Sequence, residues 1–418
     1  MRMRNSLLLV LFLIPAVACN DILASDLALI RAKIYPSPTE APIEDGTILV
    51  HNGVITAIGP ARRVHPPDFA RAVTNINCQG MVVTAGFWNS HVHIFTAGLL
   101  HAETHSDIDL SSQLEQMLTR WGFTTVFDTA SLLENTNNIR RRIARGGVRG
   151  PRIFTVGEPF YAKGGTPIYI RGFLQENRIA LPELESPAQG VERVRQEIRD
   201  GADGIKIFAG SIEPGSVLIM PLEEARAIVT EAHREGKPVF AHPSNNEGIE
   251  IALNSGVDIL AHTTPMSGTW TAQQVQRIKA ANMALIPTLT LFEVEAKKFG
   301  ESAEDSANDL RSASQQLKAY SDAKGQILFG TDVGYTDYYD TAEEFRLMSQ
   351  AGLDFRQILA TLTTNPASRF GYTAHSGRVA KDMDADLVVL AGDPAKDVTA
   401  FSRVAFTIRQ GKIVFGKD

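Results

Sequence analysis

Cysteine is nearly absent: the chain of 418 residues holds two, Cys19 and Cys78. A disulfide framework is therefore excluded, and Cys78 reads as a small buried residue. Long runs of like charge are also missing, and the net charge is only −6. Without a basic stripe there is no footprint for nucleic acid, which is excluded as a partner. No Gly-x-Gly-x-x-Gly follows the first strand-like segment of the middle region, so nucleotide binding has no support. What is present is an ordinary globular composition, 44% hydrophobic and 21% charged. The length suits one large barrel with a smaller attached domain.

The first apolar run is Leu7-Leu8-Leu9-Val10-Leu11-Phe12-Leu13-Ile14, preceded by Arg2 and Arg4 and followed by Ala16-Val17-Ala18. Charged, apolar and small-residue segments in that order read as an export signal over residues 1–18. The run is too short to span a bilayer comfortably. Cys19, directly after Ala18, also resembles a lipobox cysteine, with Ala16 where leucine is usual. The expectation is an exported protein, periplasmic or secreted, with a lipid anchor through Cys19 as an added expectation. The sequence is compatible with a homo-oligomer and does not specify one.

The two ends of the remaining chain look alike. Leu27–Ile30, Gly46–Val50 and Gly53–Ile58 are β-like, and Asn52-Gly53 is a hairpin turn that tolerates positive φ twice. Ala385–Leu390, Val404–Arg409 and Lys412–Phe415 are β-like as well. Residues 25–80 and 375–418 are therefore expected to build one small β-sandwich from both termini.

The middle, residues 81–374, alternates strands and helices, which predicts an α/β fold with a parallel sheet or barrel. Its strand candidates are Met81–Ala85, Thr124–Phe127, Arg152–Val156, Gly204–Phe208, Pro238–Ala241, Asp258–Ala261, Ala284–Pro287 and Gln326–Phe329. Helical spacing of apolar residues appears at Gln189–Arg199, Leu222–Arg234 and Ala342–Gln350. Eight such units over roughly 290 residues fit a TIM barrel, whose active site lies at the C-terminal strand ends.

Those ends carry chemistry. His91 and His93 follow the first strand and, two residues apart, project together. Lys206 sits in the fourth strand between Ile205 and Ile207. His242, His262 and Asp332 end the fifth, sixth and eighth strands. Singly, each has a duller reading: buried lysines pair with carboxylates, and lone histidines are satisfied core or surface groups. Together they place metal-ligand types at the corresponding ends of separate strands.

The ordered set His-x-His, Lys, His, His, Asp resembles the binuclear metal pattern of the amidohydrolase superfamily. Gly122-Phe123-Thr124-Thr125, Gly330-Thr331-Asp332, Thr364-Asn365-Pro366-Ala367 and Asp384-Ala385-Asp386-Leu387 match it too. Within it the chain is most similar to the imidazolonepropionase-like group, with its metal-dependent Xaa-Pro and Xaa-Arg dipeptidases and carboxypeptidases. The resemblance implies two divalent ions, zinc or similar. His91, His93 and Asp332 would hold one, and His242 and His262 the other. It also implies that Lys206 takes up carbon dioxide as a bridging carbamate (N6-carboxylysine). A metal-bridging hydroxide would attack the substrate, and Asp332 would carry the proton.

The expected activity is hydrolysis of an amide or peptide bond in a small molecule, such as a dipeptide or an N-acyl amino acid. Ester, lactone or phosphotriester hydrolysis at the same centre is the alternative, and a non-catalytic member of the fold a remote one. The loop after the third strand reads Gly164-Gly165-Thr166 where related dipeptidases carry Gly-Gly-His. Tyr161, Tyr169 and Arg171 in that loop, and Tyr335 and Tyr338 after the eighth strand, are the candidates for substrate contact. Arg171 has two readings, a clamp for a substrate carboxylate and, favoured over it, a surface salt bridge.

Overall fold

A computed structural model describes residues 26–66 and 73–416. The expected export signal and Cys19 lie outside these residues. Five strands open the described chain: β1 (Leu27–Ile34), β2 (Ile43–His51), β3 (Val54–Pro60), β4 (Thr74–Asn77) and β5 (Val82–Ala85). The middle adds β6 (Phe87–Val92), β7 (Phe123–Asp128), β8 (Arg152–Thr155), β9 (Ile205–Phe208), β10 (Gly210–Glu213) and β11 (Ser216–Ile219). It continues with β12 (Val239–His242), β13 (Ile259–Ala261) and β14 (Ala284–Ile286), and the chain ends in β15 (Leu387–Leu390), β16 (Val404–Arg409) and β17 (Lys412–Phe415).

The termini do come together. They form one eight-stranded sheet in the order β17-β16-β15-β5-β1-β2-β3, with β4 on β1. Asn52 and Gly53, at φ 50° and 78°, make the left-handed turn that joins β2 to β3. The sheet has its own core, in which Leu29, Ile34, Ile48, Val83 and Leu387 are buried.

One strand assignment changes. Met81–Ala85 is not the first strand of the barrel. Its core, β5, pairs antiparallel with β15 and parallel with β1 in the terminal sheet. An all-apolar run shows that both faces are covered, not which sheet covers them. The first strand of the middle region is β6, and Gly86 is the joint between the two. A Cβ on Gly86 would lie 2.2 Å from Thr124 Oγ1, so only glycine fits there.

The middle strands are parallel, in the orders β6-β7-β8 and β14-β13-β12-β9. Phe160 links β8 to β9, its N–H donating to Lys206 O at 2.8 Å. The predicted eighth strand is only a short segment: Ile327 bridges Leu285, and Val333 bridges Val92. Ser90 N–H also donates to Phe329 O at 2.7 Å. Helices Pro187–Arg199, Leu222–Arg234 and Ala342–Gln350 fall where the apolar spacing put them. Inside, Trp88 stacks on Phe154 and Phe370 at 5.6 and 5.7 Å, and Phe127 packs on Phe370 at 4.9 Å. Trp88 and Phe127, the fully buried rings among them, each contribute about 1.5–3 kcal/mol.

Candidate metal centre and substrate cavity

The six predicted ligands are delivered by five neighbouring segments. His91 is in β6 and His93 follows it, two residues on, so both rings face the same way. Lys206 lies in β9, paired across to Phe240 of β12, whose last residue is His242. His262 directly follows β13, and Asp332 follows the short eighth segment.

Asp332 Oδ1 stands 2.7 Å from His93 Nε2 and 3.0 Å from His91 Nε2. These three residues form a buried group whose ligating atoms lie within 4.8 Å of one another. The other two histidines adjoin it. The His91 and His262 rings are 4.6 Å apart, and those of His262 and His242 4.8 Å.

Backing contacts fix the rings. His93 Nδ1 is 2.8 Å from Ala130 O, and His262 Nδ1 is 2.7 Å from Thr288 Oγ1. A donating Nδ1–H leaves Nε2 as the ligand atom, as metal-binding imidazoles require. The Ala130 loop is in turn held by buried Asp128, which accepts from Ser131, Thr136 and Thr155 hydroxyls. The backbone is strained where the site needs it: His262, Thr288 and Asp332 have φ of 84°, 47° and 59°.

A divalent cation fits these residues. His91 is buried, yet neither ring nitrogen has a hydrogen-bond partner; its Nε2 is near Asp332 but poorly aligned. Burial, then Lys206, pushes His91 down to about 3. Burial also holds His242 and His262 well below the usual imidazole range. Burial opposes ionisation of Asp332, but His91 and His93 hold its carboxyl well below the usual range. Neutral imidazoles around a carboxylate are the charge state that metal ligation demands. Lys206 is 1% exposed and forms no ion pair among the described residues; Asp332 acts on it through space, and its ammonium lies 5.7 Å from the Phe208 ring. Burial pushes it down to about 7, so free amine is available near neutral pH.

The six residues floor a cavity of about 430 Å³. Its walls are mainly apolar, with Phe95, Ile168, Phe173, Met266 and Phe292 among them. Of the residues predicted to touch substrate, Tyr161, Tyr169 and Tyr335 line it. Tyr169 packs edge-on to Tyr335 at 5.3 Å. Two of the candidates fall outside the cavity. Arg171 does not line the cavity; its guanidinium pairs with Glu213 and donates to Thr166 O, because that carboxylate lies directly across from it. Tyr338 is 43% exposed and also stands outside.

Sequence reasoning missed the helix Leu289–Phe299, which presents Leu291, Phe292 and Glu295 to the cavity. Its signal was weak: Thr288 and the glutamate at 295 sit beyond the strand end that drew attention. It also missed Phe95, two residues past His93, whose ring packs 5.3 Å from it.

Comparison with known proteins agrees with this geometry. The model of the amidohydrolase family matches residues 82–414, and the chain belongs to that family. A. niger ochratoxinase is 24% identical over 90% of this chain and 84% of its own. The crystal structure of a putative prolidase from Bifidobacterium longum superposes with TM-score 0.78 at 25% identity, covering 94% of this chain and 95% of its own. A Xaa-Pro dipeptidase with methionine bound in its active site gives TM-score 0.79 at 21% identity, covering 94% and 100%. The chain is thus a hydrolase acting on C–N bonds, with a metal-binding His-His-Asp group at the bottom of its cavity.

Proposed function

We propose that this chain hydrolyses the amide bond of a small, largely apolar molecule at a centre for two divalent ions. The observation that carries this reading is the buried His91–His93–Asp332 group beneath an apolar cavity of about 430 Å³. Dipeptides and N-acyl amino acids are the substrate classes that size admits.

His91, His93 and Asp332 would hold one ion, and His242 and His262 the second. Lys206 would join them once its neutral amine adds carbon dioxide and loses a proton, giving an anionic N6-carboxylysine. Zinc or similar ions bound there supply Lewis acidity to a carbonyl and make water acidic near neutral pH. Asp332, whose Oδ1 lies 2.7 and 3.0 Å from the two histidines, would take a proton from the attacking water. It then passes that proton to the leaving amine. The apolar walls exclude bulk water and strengthen these contacts.

The same reading takes the parallel strands as a closed (β/α)8 barrel and the terminal sheet as folded into two layers. It retains export through residues 1–18, with Cys19 as the site of lipid attachment.

A panel of dipeptides, N-acyl amino acids, esters, lactones and phosphotriesters tests the function. Turnover of amides above the other classes is expected. Turnover confined to esters, lactones or phosphotriesters would overturn it.

A further inference from the structure

Glu295 is the one acidic side chain in the cavity wall held by a hydroxyl from the metal-side loop. Tyr335 Oη donates to Glu295 Oε1 at 2.9 Å, and Tyr335 in turn packs on Tyr169, which lies 6.5 Å from the His242 ring. No lysine, arginine or histidine forms an ion pair with Glu295 among the described residues. Lys298 stands over the Tyr335 ring at 4.6 Å and acts on Glu295 only through space, without an ion pair. No arginine lines the cavity among the described residues, while Glu301 and Asp309 also line it. A carboxylate oriented by a tyrosine, in an apolar wall and without an ion-pair partner, is matched by a cation from outside.

Resting on the amide-hydrolase reading, we propose that Glu295 is a specificity-determining residue that binds the ammonium group of the substrate. The preferred class is then an apolar amide with a free amino group, such as a dipeptide with an unblocked N-terminus. N-acylated amino acids, which bring no cation, are disfavoured. Burial pushes the Glu295 carboxyl up to about 7, and an ammonium beside it would restore its charge.

The test uses a substitution that keeps the Tyr335 contact. Glu295→Gln still offers a carbonyl oxygen to Tyr335 Oη but loses the charge. Binding of phenethylamine and of its neutral isostere 2-phenylethanol is measured by calorimetry on both proteins. Wild type should bind the amine at least about tenfold more tightly than the alcohol, and Glu295→Gln should lose that preference while its alcohol affinity stays. In hydrolysis, Glu295→Gln should raise KM for leucyl-phenylalanine amide and leave KM for its N-acetyl form, with kcat changed little. Equal affinities in wild type, or an unchanged preference in Glu295→Gln, overturns the assignment. Because the binding arm needs no turnover, failure of the panel above refutes amide hydrolysis without deciding the role of Glu295.

Discussion

Removing Glu344 should loosen the cavity wall, and by an amount that depends on pH. Helix Leu289–Phe299 begins at Thr288, which gives it no side-chain cap. Buried Glu344, from the helix Ala342–Gln350, supplies the missing acceptors. It accepts from Leu289 N–H at 2.9 Å, Thr290 N–H at 2.7 Å and Thr290 Oγ1 at 2.7 Å. Glu344→Ala strands three donors, which at 1–1.5 kcal/mol each costs about 4 kcal/mol. Burial, working against these bonds, pushes the Glu344 carboxyl from 4.5 up to about 7. A carboxyl raised in the fold contributes stability that is full below 4.5 and is lost as pH rises through 7. At about 1.4 kcal/mol per pH unit that loss reaches about 3 kcal/mol. The cost of Glu344→Ala should therefore be about 4 kcal/mol near pH 5 and about 1 kcal/mol near pH 8. Urea unfolding of both proteins at the two pH values measures it, with KM as a reporter of the displaced wall. A cost that grows with pH, or one below about 1 kcal/mol at pH 5, refutes the reasoning.

Lys206→Ala should lower the metal content from about two ions per chain to about one and cut amide turnover about 100-fold or more; an unchanged rate with unchanged metal would sink the carbamate. Arg152 bridges Asp384 at 3.1 Å and buried Asp386 at 3.5 Å, tying β8 to the terminal sheet. Arg152→Met leaves Asp386 unpaired and should cost about 3 kcal/mol in urea unfolding; a cost near zero would show the bridge to be dispensable. Burial pushes Cys78 up to about 12, so in Cys19→Ser protein no thiol should react with a disulfide reagent at pH 8 until the fold is opened with urea.

The ligands were legible because strand-end chemistry is local. His91 and His93 need only a strand's alternation, His242, His262 and Asp332 each close an apolar run, and Lys206 stands out as the one charge inside its own. The sheet to which Val82–Ala85 belongs was not legible, since burial on both faces looks the same in either sheet. Arg171 takes the salt bridge its loop position favoured, but the partner, Glu213, forty-two residues away in sequence, was not legible. Glu295 and Glu344 act through partners 40 and 55 residues away, and no spacing rule reports such pairs.

The central claim is a two-ion centre on these six residues, and elemental analysis of the purified protein tests it most directly. The account predicts about two divalent ions per chain in wild type and about one when His242 and His262 are both replaced by alanine. A wild-type protein that turns over amides with no bound metal, or a double variant that keeps the full wild-type complement, would contradict it.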